Sequence, residues 1–183
     1  MRYENTVQWA VTAQLGTVYR ACANAQTLDE LVESLQTPLA AWLDIDVITL
    51  ALAEEPSVLV GATRQLSDEF VGRIRSHAAR CIEGKSKQIR HPDDIVVQHV
   101  GSATDETQID IATGILWTGA LESSGRMIAV VTFYRECSQQ VSPLELTALR
   151  QIRSLISDTV IRIIESNRIA SIEDNRADAD SEV

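Results

Sequence analysis

Residues 126–134 (Arg-Met-Ile-Ala-Val-Val-Thr-Phe-Tyr) and residues 142–145 (Ser-Pro-Leu-Glu) carry the strongest fold signals in this 183-residue chain. The first stretch is rich in β-branched and aromatic residues and lacks glycine and proline, which is typical of a β-strand. The second has serine at a helix N-cap, proline at the first helical position and glutamate three residues after the cap. Together they predict a long strand that leads through a short loop into a long helix.

The predicted C-terminal helix has a broad apolar stripe. Its main positions recur at helical spacing, and two further residues widen the stripe beyond a single coiled-coil seam. The stripe consists of Leu149, Ile152, Ile156, Val160 and Ile163, and the widening residues are Leu155 and Ile164. One side of this helix can therefore pack on a sheet and another side on a partner chain.

The N-terminus also predicts a helix that needs a partner. From Val7, the residues Val11, Leu15, Val18, Cys22 and Ala25 follow at steps of four, four, three, four and three residues. This near-heptad stripe is too short for an isolated coiled coil. We therefore expect the N-terminal helix to pack with the C-terminal helix and to contribute to a homodimer.

A second helix is predicted to begin after Thr27. Thr27 and Glu30 have the spacing of a capping box. Pro38 removes an internal hydrogen bond, which predicts a kink or a restart of the helix with Thr37 as its new cap. The helix is expected to end near Asp44.

The remaining segments predict strands that alternate with one further helix. The first two strands, at 46–53 and 57–63, form a hairpin. A helix capped by Ser67 follows and runs to about Ile82, and Gly84 ends it. After it come a short strand through Ile89 and Arg90, an irregular acidic stretch at 91–106, and paired strands at 107–121 and 126–134.

Composition excludes several classes of function. A net charge of −10 disfavours nucleic-acid binding, because phosphate recognition needs a positive field. Cys22, Cys81 and Cys137 are odd in number and widely spaced, which argues against a disulfide framework and a zinc ribbon. The sequence has neither a membrane-spanning apolar run nor the features of a signal peptide, so we expect no membrane partner and a cytoplasmic location.

The order of elements resembles that of GAF domains, a family of small-molecule sensing and dimerisation modules, across residues 27–165. The likeness is carried by residues 46–50 (Asp-Val-Ile-Thr-Leu), 90–94 (Arg-His-Pro-Asp-Asp) and 125–130 (Gly-Arg-Met-Ile-Ala-Val). The chain departs from that pattern at residues 117–121 (Trp-Thr-Gly-Ala-Leu), where the family often has a Pro-Leu pair. PAS and roadblock-like modules share a helix-flanked antiparallel sheet, and their hydrophobic patterns are hard to separate from this one.

The resemblance implies an α+β fold with an antiparallel sheet flanked by helices. The N- and C-terminal helices would pack together on one sheet face, and the middle helix and loops would enclose a ligand pocket on the other. The implied organisation is an N-terminal dimerisation helix at 1–26, a GAF-like domain at 27–168 that includes the long C-terminal helix, and a disordered acidic tail at 169–183.

Candidate ligand-binding residues come from the strands and from the middle helix. Alternation puts Val130, Thr132 and Tyr134 on one side of their strand, and Met127, Ala129, Val131 and Phe133 on the other. His77 and Cys81 lie four residues apart on one helix face. Arginines suit an anionic ligand. The candidates are Thr49, Arg64, His77, Cys81, Arg90, Trp117, Thr132 and Tyr134.

No motif for phosphate cradling, zinc or serine hydrolysis, or dinucleotide binding occurs, so we predict no catalytic residue and no metal site. The expected function is a non-catalytic, homodimeric sensor of a small molecule that signals to a separate effector, and no cofactor is indicated. One alternative is a dimerisation scaffold whose pocket Trp117 and Tyr134 fill. Another is a thiol-dependent reductase, because one enzyme branch near the GAF family, the free methionine sulfoxide reductase, relies on cysteines in and beside the pocket strands. Cys22, on the N-terminal helix, and Cys137, after the last strand, do not match that arrangement.

Overall fold

The computed structural model describes residues 2–83, 91–103, 105–109, 113–136 and 141–181. The elements are α1 (Arg2–Asn24), α2 (Leu28–Leu43), β1 (Val47–Leu52), β2 (Ser57–Ala62), β3 (Arg64–Leu66), α3 (Asp68–Ile82), a single 3-10 turn (Pro92–Asp94), β4 (Val96–Val100), β5 (Asp105–Ile109), β6 (Gly114–Ser123), β7 (Arg126–Arg135) and α4 (Pro143–Ser181). No helix among these residues is long and apolar enough to cross a membrane.

Helix α2 begins at the predicted capping box. Thr27 Oγ1 accepts a hydrogen bond from Glu30 N at 3.1 Å, and Glu30 Oε2 accepts one from Thr27 N at 3.4 Å. Asp44, in the left-handed conformation at φ 51°, ends the helix as predicted. These two caps fix the length of α2.

Of the two outcomes predicted at Pro38, a kink or a restart, the restart with Thr37 as a new cap is wrong. Pro38 lies inside a continuous helix. Leu35 and Leu39, on either side of the proline, are both fully buried in the core. Their packing on the sheet offsets the loss of one backbone hydrogen bond, and the helix therefore continues.

The described residues form an α+β structure, with four α-helices and a mixed five-stranded sheet in the order β4-β2-β1-β7-β6. The prediction of a wholly antiparallel sheet is wrong at one edge, because β4 pairs with β2 in parallel. Parallel neighbours need a crossover connection, and the segment that contains α3 supplies it. The stretch 91–106, predicted to be irregular, therefore contains an edge strand.

The strand predicted at 107–121 is divided between two sheets. β5 pairs with β3 in a separate two-stranded sheet, whereas β6 begins at Gly114 and pairs with β7. The expected end of α3 at Gly84 and the short strand at Ile89 and Arg90 fall outside the described residues.

Each face of the five-stranded sheet has its own apolar core. On the first, which we call the helical face, Leu50, Val131 and Phe133 pack with α1, α2 and α4. On the second, which we call the α3 face, Val47 and Tyr134 pack with the buried side of α3. The terminal helices are thus together on one side of the sheet, and the middle helix covers the other.

Strand β7 does not alternate strictly. Glu122 pairs with Met127 and Leu121 pairs with Ala129, so Ile128 is an extra residue in a β-bulge. Met127 consequently packs on the α3 face, and Ile128 packs on the helical face. The prediction that Met127 shares a side with Ala129 is wrong for this reason.

Helix α4 continues through Ser181, whereas the composition predicts a disordered tail from residue 169. Extending an existing helix needs no new nucleus, and the tail contains the strong helix formers Ala177 and Ala179. The side chains from residue 172 onward are not described.

Candidate functional site

A chain of polar side chains joins α3 to the sheet. Ser67 Oγ accepts a hydrogen bond from Phe70 N at 3.1 Å and so fixes the start of α3. Two turns along the helix, His77 Nε2 lies 3.1 Å from Thr118 Oγ1 on β6 and 3.4 Å from Cys81 Sγ. The helix and the sheet are therefore connected by polar as well as apolar contacts.

The chain continues across the sheet through paired threonines. Thr118 Oγ1 donates a hydrogen bond to Thr132 Oγ1 at 3.3 Å, and Thr132 is the register partner of Thr49 on β1. Thr132 and Thr49 are buried. The three threonines form a row of hydroxyl groups across three adjacent strands.

Tyr134 borders this row beneath α3. Its ring is fully buried and packs edge-to-face with Phe70 at a centroid distance of 5.3 Å, and the ring of His77 lies 6.3 Å away. Tyr134 Oη makes no hydrogen bond of good geometry to any described residue. Burial raises the pKa of Tyr134, while Arg73 and the Thr49 hydroxyl act in the opposite direction. The phenol is therefore neutral, and it retains hydrogen-bonding capacity.

The other titratable groups of the site also favour their neutral forms. Burial lowers the pKa of His77, and Arg80 and Arg73 lower it further. Burial raises the pKa of the Cys81 thiol, although Arg80 opposes the shift. At neutral pH the site therefore offers hydroxyl, thiol and imidazole groups as hydrogen-bond donors and acceptors without a fixed charge among them.

The structure brings five of the eight candidate residues together on the α3 face: Thr49, His77, Cys81, Thr132 and Tyr134. The sequence reasoning missed Thr118, which connects the helix to the strands. Thr118 is a polar residue next to Trp117 in an otherwise apolar strand, which could have marked it as a candidate. The sheet face that Thr118 occupies, however, depends on the bulges in the β6–β7 pairing.

Trp117 lies on the opposite side of the sheet from this cluster. Its ring stacks on Phe133 at 6.0 Å in the helical-face core. The register of β6 against β7 shifts between Ile115 and Trp117, so simple alternation does not predict the orientation of the indole. Trp117 cannot fill a pocket beside Tyr134, as the scaffold alternative supposed.

Arg64 is engaged in an ion-pair network at the end of the sheet. Its Nη2 lies 2.9 Å from Asp46 Oδ1 and 2.7 Å from Glu136 Oε2. These contacts join β3 to the residues that flank β1 and β7. The remaining candidate, Arg90, is outside the described residues.

Depressions also occur away from the α3 face. A depression of about 550 Å³ lies between the N-terminus of α2, the strand turns and α4, where Leu52, Ile128 and Ile164 contribute apolar walls. A second, of about 420 Å³, lies between α1 and α4. Within the described ranges, no group of three or more His, Cys, Asp or Glu residues could hold a metal ion.

Comparison with known proteins adds no relative. No model of a protein family, no curated protein and no solved structure matches this chain.

Proposed function

We propose that this chain is a non-catalytic regulatory module of the GAF-like kind, which works in the cytoplasm as a homodimer and senses a small molecule at the α3 face. The layered arrangement supports the proposal: α1, α2 and α4 pack on one side of the sheet, while α3 packs on the other together with Leu66 of β3 and Ile109 of β5. This is the division that the GAF resemblance implies between a dimerisation side and a ligand side.

The observation that carries the proposal is a set of polar side chains within the apolar core of the α3 face. His77 and Cys81 are half-buried, and the hydroxyls of Thr132 and Tyr134 lie deeper. Burying polar groups inside an apolar core costs free energy unless they are hydrogen-bonded, and the Tyr134 hydroxyl has no such bond of good geometry in the part of the chain described. A ligand that complements these side chains is small and neutral, with an apolar body and one or two hydrogen-bonding groups.

A scaffold function without a ligand is the second candidate, and one observation favours it. Phe70, Ile74 and Tyr134 are fully buried and in contact beneath α3, so side chains fill much of the space on this face. For a ligand to enter there, α3 must move. Such a movement would give the ligand a means of shifting the population between two conformations and so of signalling to a separate effector.

Native mass spectrometry of freshly purified protein tests the proposal. A dimer that carries additional non-covalent mass would support ligand sensing and would give the ligand's mass directly. The Thr132→Val variant should lose this mass. Thr159→Val is the matched control, because Thr159 is also buried but bonds to Leu155 O within α4.

Each other result has a definite meaning. A dimer without additional mass, even after incubation with a metabolite extract, would favour the scaffold. Equal loss of mass in both valine variants would show that the ligand does not contact the threonine row.

A further inference from the structure

An apolar depression between α1 and α4 lies on the outer surface of the helical layer. Leu15, Gly16 and Tyr19 line it from α1, and Gln151, Ser154 and Leu155 line it from α4. Tyr19 is 59% exposed at the edge of this depression, whose volume is about 420 Å³. Such a surface is suited to contact with another protein.

No contact within the described part of the chain accounts for a glycine at position 16. Gly16 lies in the middle of α1, where glycine destabilises a helix relative to alanine. A Cβ atom built on Gly16 would meet no heavy atom of the described residues within 4 Å. A glycine at this position leaves space on the surface of α1 for a large side chain of a second molecule.

The contacts between α1 and α4 show that these helices run in parallel. Leu15 and Tyr19 face the turn at 151–155, and farther along both helices Arg162 Nη2 donates to Cys22 O at 3.2 Å and to Ala25 O at 2.7 Å. The turn of α1 from Gly16 to Tyr19 therefore lies beside the turn of α4 that contains Ser154.

Two opposite charges on α4 lie at equal distances from Ser154 along the helix. Arg150 precedes Ser154 by four residues, and Asp158 follows it by four. All three residues are exposed and lie on one face of the helix. Consider a two-fold axis at this level that runs perpendicular to the helices and parallel to the layer they form. Rotation about this axis would place α4 of a second copy on top of α4, in the antiparallel direction.

We infer that this chain forms an antiparallel two-fold dimer through the outer surface of α1 and α4. In this dimer Arg150 faces the partner's Asp158, and Gly16 accommodates the partner's Tyr19. The surface is self-complementary, because each copy supplies both the charge and its opposite, and both the aromatic ring and the space for it. The inference rests on the homodimer of the proposed function and specifies its interface.

Charge exchange across the interface tests the inference. Sedimentation equilibrium at low salt should show that Arg150→Asp and Asp158→Arg each weaken the dimer by about tenfold, because like charges then face each other across the two-fold axis. The double variant Arg150→Asp/Asp158→Arg should recover dimerisation close to that of the wild type. In a parallel dimer these two residues do not meet, and the double variant would show no recovery.

Substitution of glycine gives an independent test with a matched control. Gly16→Leu should weaken the dimer by tenfold or more, because the side chain occupies the space for Tyr19. Gly72→Leu should leave the dimer unchanged, because Gly72 lies in α3, where a Cβ likewise meets no atom of the described residues within 4 Å. Circular dichroism confirms that each variant is folded.

The outcomes separate this interface from the proposed function. A wild-type dimer that none of the three substitutions Arg150→Asp, Asp158→Arg and Gly16→Leu weakens would overturn the interface and leave the homodimer in place. A wild-type chain that is monomeric at all concentrations tested would overturn both.

Discussion

Arg135 Nη1 lies 2.7 Å from Glu145 Oε1, and this ion pair joins the end of β7 to the first turn of α4. The Arg135 side chain is 6% exposed, and its Nη1 also donates to Leu43 O at the end of α2. Glu145 Oε2 accepts a hydrogen bond from Ser142 N at 2.7 Å, which completes the cap of α4. Three elements of the helical face therefore converge on one pair of charges.

Replacement of Glu145 by glutamine should lower the free energy of unfolding by about 3 kcal/mol, because it leaves the buried Arg135 charge without its carboxylate. The control is Glu54→Gln, which breaks the exposed ion pair between Glu54 and Arg126 and should change stability by less than about 0.5 kcal/mol. Urea denaturation measures both. Equal effects would show that the Arg135–Glu145 pair contributes no more than a surface ion pair.

Stability should fall in acid through Glu145. The hydrogen bond from Ser142 N, and then that from Arg135, lower the pKa of Glu145 from its ordinary value of 4.5 to about 2. The folded state therefore binds the proton less readily than the unfolded state, so the contribution is complete above pH 4.5 and is lost as the pH falls toward 2.

The Glu145→Gln variant serves as the reference for this titration. Its midpoint of urea denaturation should decline less between pH 4.5 and pH 2 than that of the wild type. Parallel declines in the two proteins would contradict the assignment to Glu145.

Capping of α2 should depend on Thr27 and not on Thr37. Thr27→Ala removes the acceptor for Glu30 N and should lower the free energy of unfolding by about 1 kcal/mol. Thr37→Ala, inside the continuous helix, should leave stability unchanged or slightly raise it, because alanine is the better helix former. Thermal denaturation of the two variants decides the matter, and a larger loss for Thr37→Ala would favour a broken helix.

Gly119 should be intolerant of a side chain because of Trp117. A Cβ on Gly119 would overlap Trp117 Cη2 and lie 2.6 Å from Cζ3. Gly119→Ala should therefore lower the free energy of unfolding by about 2 kcal/mol.

The same substitution should cost much less in a Trp117→Ala background, since the overlapping ring is then absent. A double-mutant cycle measured by denaturation gives the coupling energy between the two positions. Additive effects would contradict the close approach of the indole ring to Gly119.

Local signals predicted most of the element boundaries, because caps and turns depend on neighbouring residues. The start of α2 at Thr27, the start of α3 at Ser67 and the start of α4 at Ser142 follow from such signals. The passage of α2 through Pro38 was not predictable in this way, because it depends on how the flanking leucines pack in the core.

The candidate site was predictable only where β-strand alternation holds. Thr132 and Tyr134 share the α3 face as expected, since β7 is regular there. Trp117 and Met127 lie beside register shifts, and an inserted residue reverses the face that the next side chain occupies. Bulges depend on the pairing of two strands, so one strand's sequence does not reveal them.

The sheet separates the two apolar cores, and this separation affects how the chain can vary. Substitutions around Phe70 and Tyr134 on one face have few neighbours in common with substitutions around Leu149 and Phe133 on the other. Effects of mutations that share no contacts are close to additive. The chemistry of the α3 face can therefore diverge through successive mutations while the helical face, and any assembly built on it, stays the same.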